Sequence, residues 1–219
     1  PVAAADLNTE FPGFDYTRWI EGLGSSVQKF GTVIVGQPSY FEAVSKIWET
    51  EPIEAWKLYL VWKNISARAA YLNDEIVNAN FDFYGKTLSG TEELRDRWKR
   101  GVGVIEGNLG EELGKEYVAV HFPPEHKAKM LKLVDNLLEA YRQSISTLDW
   151  MTDETRERAL EKLEKFVTKI GYPDEWRDYS ALELVEGDLL ENLRRSSLFE
   201  HNFQLDRIGQ PVDKHEWLM

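Results

Sequence analysis

The apolar residues recur mostly at intervals of three and four, which is the spacing of one face of an α-helix. This spacing predicts a helix from Pro38 to Trp48 and a long helix from Pro52 to about Asn78. Proline suits both starts, because the N–H that it lacks would have no partner in a first helical turn. The stripe of the longer helix consists of Trp56, Leu60, Ile65, Ala69 and Leu72.

The middle of the chain combines a capping pattern with a run of glycines. The segment Ser89-Gly90-Thr91-Glu92 has the capping-box spacing and predicts a helix through Leu94 and Trp98. Each glycine in a helix costs about 1 kcal/mol relative to alanine, so we predict two helices with a break near Gly107-Asn108. We interpret the glycines as points of close backbone approach, with a hinge as the alternative. They are Gly101, Gly103, Gly107, Gly110 and Gly114.

Three further helices are predicted in the second half of the chain. Pro123-Pro124 opens the first, Thr152 has the position of an N-cap for the second, and Gly171 ends that second helix. The predicted ranges are 123–148, 152–170 and 187–208.

Strand signals are few, and Thr32-Val33-Ile34-Val35 is the best of them. No segment of 20–50 residues repeats, which excludes a solenoid array. The sequence therefore predicts an all-α, multi-helix domain of about seven helices with little or no β-structure.

Charge and composition exclude several classes of function. The net charge of −12 argues against nucleic-acid binding, which needs a basic face. No apolar run approaches the roughly 20 residues that span a bilayer. The first residues have neither the basic start nor the apolar stretch of a signal peptide, and there is no initiator Met, so we expect the upstream end to have been removed. With no cysteines, disulfides, thiolate metal sites and cysteine nucleophiles are excluded.

Histidines offer little basis for a metal site. A zinc site needs three or four ligands at compatible spacing. Two histidines flank a Pro-Pro turn and are interpreted as surface residues at a helix entry, and His215-Glu216 lacks the second histidine of H-E-x-x-H because Met219 stands there. The four histidines are His121, His126, His201 and His215.

Other motifs are also absent or weak. There is no Walker loop and no G-x-S-x-G, and Gly107 falls one residue late for a dinucleotide-binding pattern that begins at Gly101. The carboxylates between Asp149 and Glu164 alternate with cations and predict a solvated face with i,i+4 pairs. Around Trp98, an anion site is possible, but we favour an inward-packed tryptophan with outward cations. Those cations are Arg95, Arg97, Lys99 and Arg100.

Several segments, taken in order, resemble a known enzyme family. They are Phe83–Leu88 with Arg97–Arg100, Gly107–Val118, Leu148–Thr155, Lys169–Asp174 and Val212–Trp217. In their order and approximate spacing they are similar to the family of neprilysin, the endothelin-converting enzymes and bacterial oligopeptidases. The resemblance covers roughly Phe14 to the end of the chain.

The resemblance implies a zinc metalloendopeptidase whose helical domain and thermolysin-like catalytic domain enclose a peptide-admitting chamber. Residues 1–219 are expected to be part of the helical domain, with about 210–219 leading toward the catalytic domain. The family's N-A-x-Y, H-E-x-x-H and E-x-x-x-D motifs come later than the segment resembled by Val212–Trp217. We therefore expect no catalytic, cofactor-binding or metal-binding residue in this chain, zinc only in the full-length parent, and no peptidase activity of the segment alone.

The expected partners are the parent's own catalytic domain and peptide substrates. Animal members carry a cysteine where this chain has Gly101, which favours a bacterial member and leaves its location open. Two alternatives remain at this point: a stand-alone acidic helical interaction module, and an inactive relative that has kept the helices and lost the protease.

Overall fold

A computed structural model describes residues 1–214, 216 and 217. Within them it confirms the all-α class, with ten α-helices and one sheet of two short strands. The count exceeds the predicted seven mainly because three N-terminal helices of four to seven residues are too short to show a helical period. By their internal contacts the residues form two compact units, Pro1–Asp96 with Leu182–Pro211 and Arg97–Ala181 with Val212–Met219.

The first unit begins with small elements and continues with longer helices. Strands β1 and β2 pair antiparallel, Val2 opposite Val33 and Ala3 opposite Thr32, so the predicted strand is found in part and its partner was not predicted. The elements are β1 (Val2–Ala3), α1 (Leu7–Glu10), α2 (Tyr16–Gly22), α3 (Val27–Phe30), β2 (Thr32–Val33), α4 (Pro38–Thr50), α5 (Ile53–Arg68), α6 (Asp74–Asn80), a π-helix (Phe81–Leu88) and, later in the chain, α10 (Leu189–Arg207).

The buried core of this unit lies under the N-terminal elements. Inside it, the Tyr16 hydroxyl hydrogen-bonds with Ser45 Oγ at 2.9 Å, which satisfies two buried polar groups. At Gly13, with φ of 107°, an added Cβ would stand 2.7 Å from the Ser45 carbonyl oxygen, so the loop can approach α4 only without a side chain. The core residues are Ala4, Leu7, Phe11, Tyr16 and Ile20.

The single long helix predicted from Pro52 to Asn78 is wrong. After α5 the chain tightens into a 3-10 turn at Ala69–Tyr71, and Leu72 and Asn73 are extended before α6 begins. Ala69 is buried, so the break packs a small residue inward. No glycine or proline marks it, and the apolar period alone could not show it.

The capping-box prediction at Ser89 is also wrong. Ser89 follows the π-helix, and its Oγ donates to the Tyr84 carbonyl at 2.8 Å. The amide of Gly90, with φ of 68°, donates to the carbonyl of Lys86. The hydroxyl therefore caps the C-terminus of the preceding helix, and the next helix starts only at Arg97.

The second unit contains α7 (Arg97–His121), α8 (Pro124–Thr147) and α9 (Asp153–Glu164). Helix α7 is kinked at Leu109, whose φ of −137° and ψ of 35° are not helical. The break predicted near Gly107-Asn108 is thus confirmed one residue later. At the kink, the Asn108 side chain donates to the Val104 carbonyl at 2.8 Å.

Of the remaining helix predictions for the second half of the chain, the starts are confirmed and one end is wrong. The starts of α8 and α9 are confirmed, with the Thr152 hydroxyl accepting from the Thr155 amide, and α10 lies within its predicted range. The predicted continuation of α9 to Ile170 is wrong, because the helix ends at Glu164. The chain then extends toward Gly171, where the next segment is fixed by contacts with α7 and α8.

Candidate functional site

Side chains from two distant segments of the second unit meet around Tyr172. Lys127 comes from the first turn of α8, whereas Tyr172, Asp174 and Trp176 follow Gly171. Gly171 has φ of 74°, and a Cβ there would collide with the Phe122 ring, so glycine is required at this turn. We refer to Lys127, Tyr172, Asp174 and Trp176 as the Tyr172 clasp.

Lys127 is the centre of the clasp. Its Nζ donates to the Tyr172 carbonyl and to Asp174 Oδ1, each at 2.7 Å, and lies 4.3 Å from the centroid of the Tyr172 ring. The lysine side chain is only 12% exposed, whereas that of Asp174 is 94% exposed. Solvent therefore weakens the ion pair, and the carbonyl and the ring carry most of the contact.

Trp176 extends the clasp to α7. Its ring stacks on Tyr172 with centroids 5.8 Å apart and an interplanar angle of 7°. A Cβ on Gly114 would stand 3.2 Å from the indole, so this glycine permits a close approach, as predicted. Beside it, the Arg177 amide donates to Glu111 Oε2 at 2.6 Å.

Two ionisable groups with shifted pKa values follow the clasp in the sequence. The backbone N–H of Ser180, and then its side chain, hold the pKa of Asp178 below the ordinary value. Burial raises the pKa of Tyr179. These directions favour an ionised Asp178 carboxylate beside a neutral Tyr179 phenol.

The middle of α5 in the first unit, between Lys57 and Lys63, is apolar on all sides and exposed. Successive helical positions are about 100° apart, so four in a row cover the whole circumference. Leu58 is 72% exposed, and the next four residues are about half exposed. A helical stretch that is hydrophobic all round is normally buried. We call Leu58, Tyr59, Leu60, Val61 and Trp62 the α5 surface.

Helix α8 of the second unit carries a second uncovered apolar surface. Its members recur at intervals of three and four residues, so they lie along one side of the helix, and they are exposed in the described structure. This α8 stripe consists of Met130, Leu133, Leu137 and Tyr141.

Each of the three described histidines contacts a different part of the protein. The ring of His121 lies 4.5 Å from that of Tyr117, and the ring of His126 lies 6.1 Å from that of Phe122. His201 Nε2 hydrogen-bonds with the Leu23 carbonyl at 2.8 Å, and His215 lies outside the described residues. Within the part that the structure describes, no three His, Cys, Asp or Glu residues group as a metal ion requires.

The basic cluster differs from its prediction. Trp98 lies in the first turn of α7 and is 68% exposed, so it does not pack inward as predicted. Lys99 Nζ lies 5.4 Å from the centroid of its ring. Of the cations, Arg95 and Arg97 are exposed, whereas Lys99 and Arg100 are half-buried.

The charged face near α9 is present, but its described pairs are not at the predicted i,i+4 spacing. Arg156 lies 3.3 Å from Asp153, and Arg158 lies 3.5 Å from Glu161, both at i,i+3. Asp153, Arg158 and Glu161 are exposed, so these pairs contribute little individually, and we assign them no chemical role.

The family model for the N-terminal region of peptidase family M13 matches residues 1–173. That match spans most of the chain. The chain belongs to peptidase family M13. The matched range contains the motifs from the Phe83 segment onward and ends inside the Lys169–Asp174 segment, so it includes Lys127 and Tyr172 of the clasp but not Asp174 and Trp176.

Relatives of this M13 chain include a neutral endopeptidase of Lactobacillus helveticus, 28% identical over 100% of the chain and 34% of the relative. A putative zinc metalloproteinase of Streptococcus gordonii is 30% identical over 85% of the chain and 33% of the relative. The chain thus spans about a third of the length of the curated relatives it matches.

Solved structures of one enzyme are also similar to this chain. The zinc metalloprotease Zmp1 of Mycobacterium tuberculosis, in its open state, has a TM-score of 0.90 and 47% identity over 98% of the chain and 33% of that protein. The same enzyme in complex with an inhibitor has a TM-score of 0.85 and 45% identity, over 100% of the chain and 33% of that protein. In the described residues of this chain, no helix is both long and apolar enough to cross a membrane.

Proposed function

We propose that this chain is a chamber-forming helical segment of a zinc metalloendopeptidase that cleaves peptides. In this proposal residues 1–219 are part of the helical domain, and about 210–219 lead toward the catalytic domain. The segment supplies wall and support, and the metal and the catalytic groups lie elsewhere in the polypeptide. The partners are that catalytic domain and the peptide substrates.

The observation that carries the proposal is the uncovered α5 surface. Fully burying a side chain such as leucine stabilises a protein by roughly 1.5–3 kcal/mol relative to leaving it exposed. The α5 surface presents five large apolar side chains in succession. Monomeric proteins rarely leave such contiguous patches in water, so a larger protein surrounding this helix is favoured over a stand-alone module.

The described residues do not fit a zinc site, so we assign none of them a step at the metal. When bound in the parent, zinc would activate a water molecule for attack on a peptide carbonyl. The contribution of this chain is mechanical. The Tyr172 clasp connects α8 with the second half of α7, and α5 and α8 offer apolar surface for assembly.

The test is a comparison of two substrates with the complete protein. The same cleavable sequence is supplied as a short peptide and as an internal loop of a stable folded domain. We expect cleavage of the peptide alone, loss of cleavage with a zinc chelator, and recovery with added zinc. A protein that cleaves neither substrate would contradict the peptidase assignment, and equal cleavage of both would contradict the chamber.

A further inference from the structure

Helix α7 consists of two helical halves that are joined at one non-helical residue. Leu109 has φ of −137° and ψ of 35°, whereas the residues on either side of it are helical. A helical bond from the Glu111 amide to the Gly107 carbonyl would have to span Leu109, so the bend works against this bond. The Asn108 side chain donates to the Val104 carbonyl at 2.8 Å and competes there with the backbone ladder.

A short segment that follows Tyr172 offers the Glu111 amide another partner. The amide donates to the hydroxyl oxygen of Tyr179. The Glu111 carboxylate in turn accepts from the Arg177 amide at 2.6 Å. One turn further along, the Trp176 ring lies against Gly114. These contacts hold the second half of α7, and we call Trp176, Arg177 and Tyr179 the strap.

The glycines in the first half of α7 have no packing role of this kind. A Cβ on Gly101, Gly103 or Gly107 would meet no atom within 4 Å, so the close approach that explains Gly114 does not explain them. Helices bend at glycines and where a side chain enters the hydrogen-bond ladder, and both conditions hold beside Leu109. For these three glycines, the hinge is therefore the better of the two interpretations that the sequence allowed.

We propose that α7 is a hinged helix with two states, bent at Leu109 while the Tyr179 hydroxyl holds the Glu111 amide, and straight when the strap releases it. In the straight state the Glu111 amide returns to the Gly107 carbonyl, so this amide has a partner in both states. The inference goes beyond the proposed function, because neither state requires zinc or a substrate.

The hinge would move the start of α7 over a considerable distance. The half from Arg97 to Asn108 is about 18 Å long. A change of about 20° in the bend would therefore displace Trp98 by about 6 Å. Release of the strap would thus reposition an exposed tryptophan without unfolding the helix that carries it.

The experiment measures the distance between two spin labels in the complete protein. Val102→Cys and Val120→Cys place one label on each half of α7, at exposed positions. The positions are five turns apart, so labels on a straight helix would lie on one side, about 27 Å from each other. Glu125→Cys with Gln143→Cys gives the same separation on the uninterrupted helix α8 and serves as the control pair. Residues 1–219 contain no competing cysteine, and any cysteine elsewhere is replaced first.

Two substitutions release the bend in different ways. Tyr179→Phe keeps the ring and removes the hydroxyl that holds Glu111, and Asn108→Ala removes the side chain that competes at Val104. Gly103→Ala, away from the bend, and Tyr141→Phe, on α8, are the matched controls. Circular dichroism establishes that each variant is folded.

We expect the α7 pair of the unmodified protein to show mainly a distance that differs from the straight-helix value of the α8 pair. Tyr179→Phe and Asn108→Ala should each raise the ratio of straight to bent protein about fivefold, the usual effect of one hydrogen bond. The control variants and the α8 pair should not change. An α7 distance that is the same in the unmodified protein and in both folded variants would show a fixed kink and overturn the inference, as would an equal shift in Gly103→Ala.

Discussion

Lys127 is a nearly buried cation whose contacts connect residues 45 positions apart in the chain. Replacing it with methionine keeps much of the aliphatic stem and removes the charged donor. We expect Lys127→Met to lower the free energy of unfolding by about 2 kcal/mol, the usual range for hydrogen bonds made by a charged group. Urea unfolding of the 219-residue chain measures this loss.

Two variants define what the clasp depends on. Asp174→Asn should cost less than about 1 kcal/mol, because its carboxylate is exposed to solvent. Lys129→Met, on an exposed position of the same helix, should have almost no effect. If Asp174→Asn proved as harmful as Lys127→Met, the ion pair and not the carbonyl contact would dominate the clasp.

Asp15 makes the first unit sensitive to acid. The backbone N–H of Arg18, followed by the Asn8 side chain, lowers its pKa from the ordinary 3.8. A carboxyl whose folded pKa is depressed stabilises the fold above its unfolded pKa, and that contribution disappears as the pH falls through the lower folded pKa. Asp15→Asn keeps the capping oxygen without the charge, so melting curves of the two proteins should differ near neutral pH and converge below 3.8. A difference that is unchanged in acid would contradict this account.

At the scale of the element, two glycines should respond to alanine in opposite ways. Gly103 lies in α7 with open space beside its Cα, so Gly103→Ala should stabilise the chain by up to about 1 kcal/mol. Gly171 has φ of 74° and faces the Phe122 ring, so Gly171→Ala should destabilise it by at least about 1 kcal/mol. Thermal unfolding compares the pair. A loss of stability in both variants would mean that α7 is more tightly packed at Gly103 than the structure shows.

Elements with a local chemical signal could be predicted from the sequence. The proline at the start of α8, the hydroxyl of Thr152 and the glycines near the α7 kink each act within a few residues. The break after α5 has no such signal, because it depends on the burial of Ala69. Ser89 shows a further limit, since a hydroxyl can cap either the end of one helix or the start of the next.

The candidate site was less predictable than the helices. Sequence motifs indicated the Lys169–Asp174 segment but not its role, because its partner Lys127 lies 45 residues away and no local pattern joins them. The prediction that Trp98 packs inward failed for a related reason. It assumed a helix that starts upstream and brings the indole against a core, whereas α7 starts one residue before it.

At the scale of the whole molecule, the uncovered apolar surfaces predict how the isolated chain behaves. We expect the 219-residue chain to bind a hydrophobic fluorescent dye strongly, because the α5 surface and the α8 stripe are open to water. The double variant Leu58→Lys with Trp62→Lys should reduce the fluorescence, whereas Glu157→Lys should not. Weak dye binding by the unmodified chain would favour the stand-alone module.

The most direct measurement compares zinc-dependent hydrolysis of one short peptide by the complete protein and by residues 1–219 alone, at equal molar concentration. Zinc content is determined for both after dialysis. We predict bound zinc and chelator-sensitive cleavage in the complete protein, and neither in the isolated chain. Cleavage by the isolated chain would contradict the purely mechanical role assigned to it, and a complete protein with neither zinc nor cleavage would contradict its place in a working metallopeptidase.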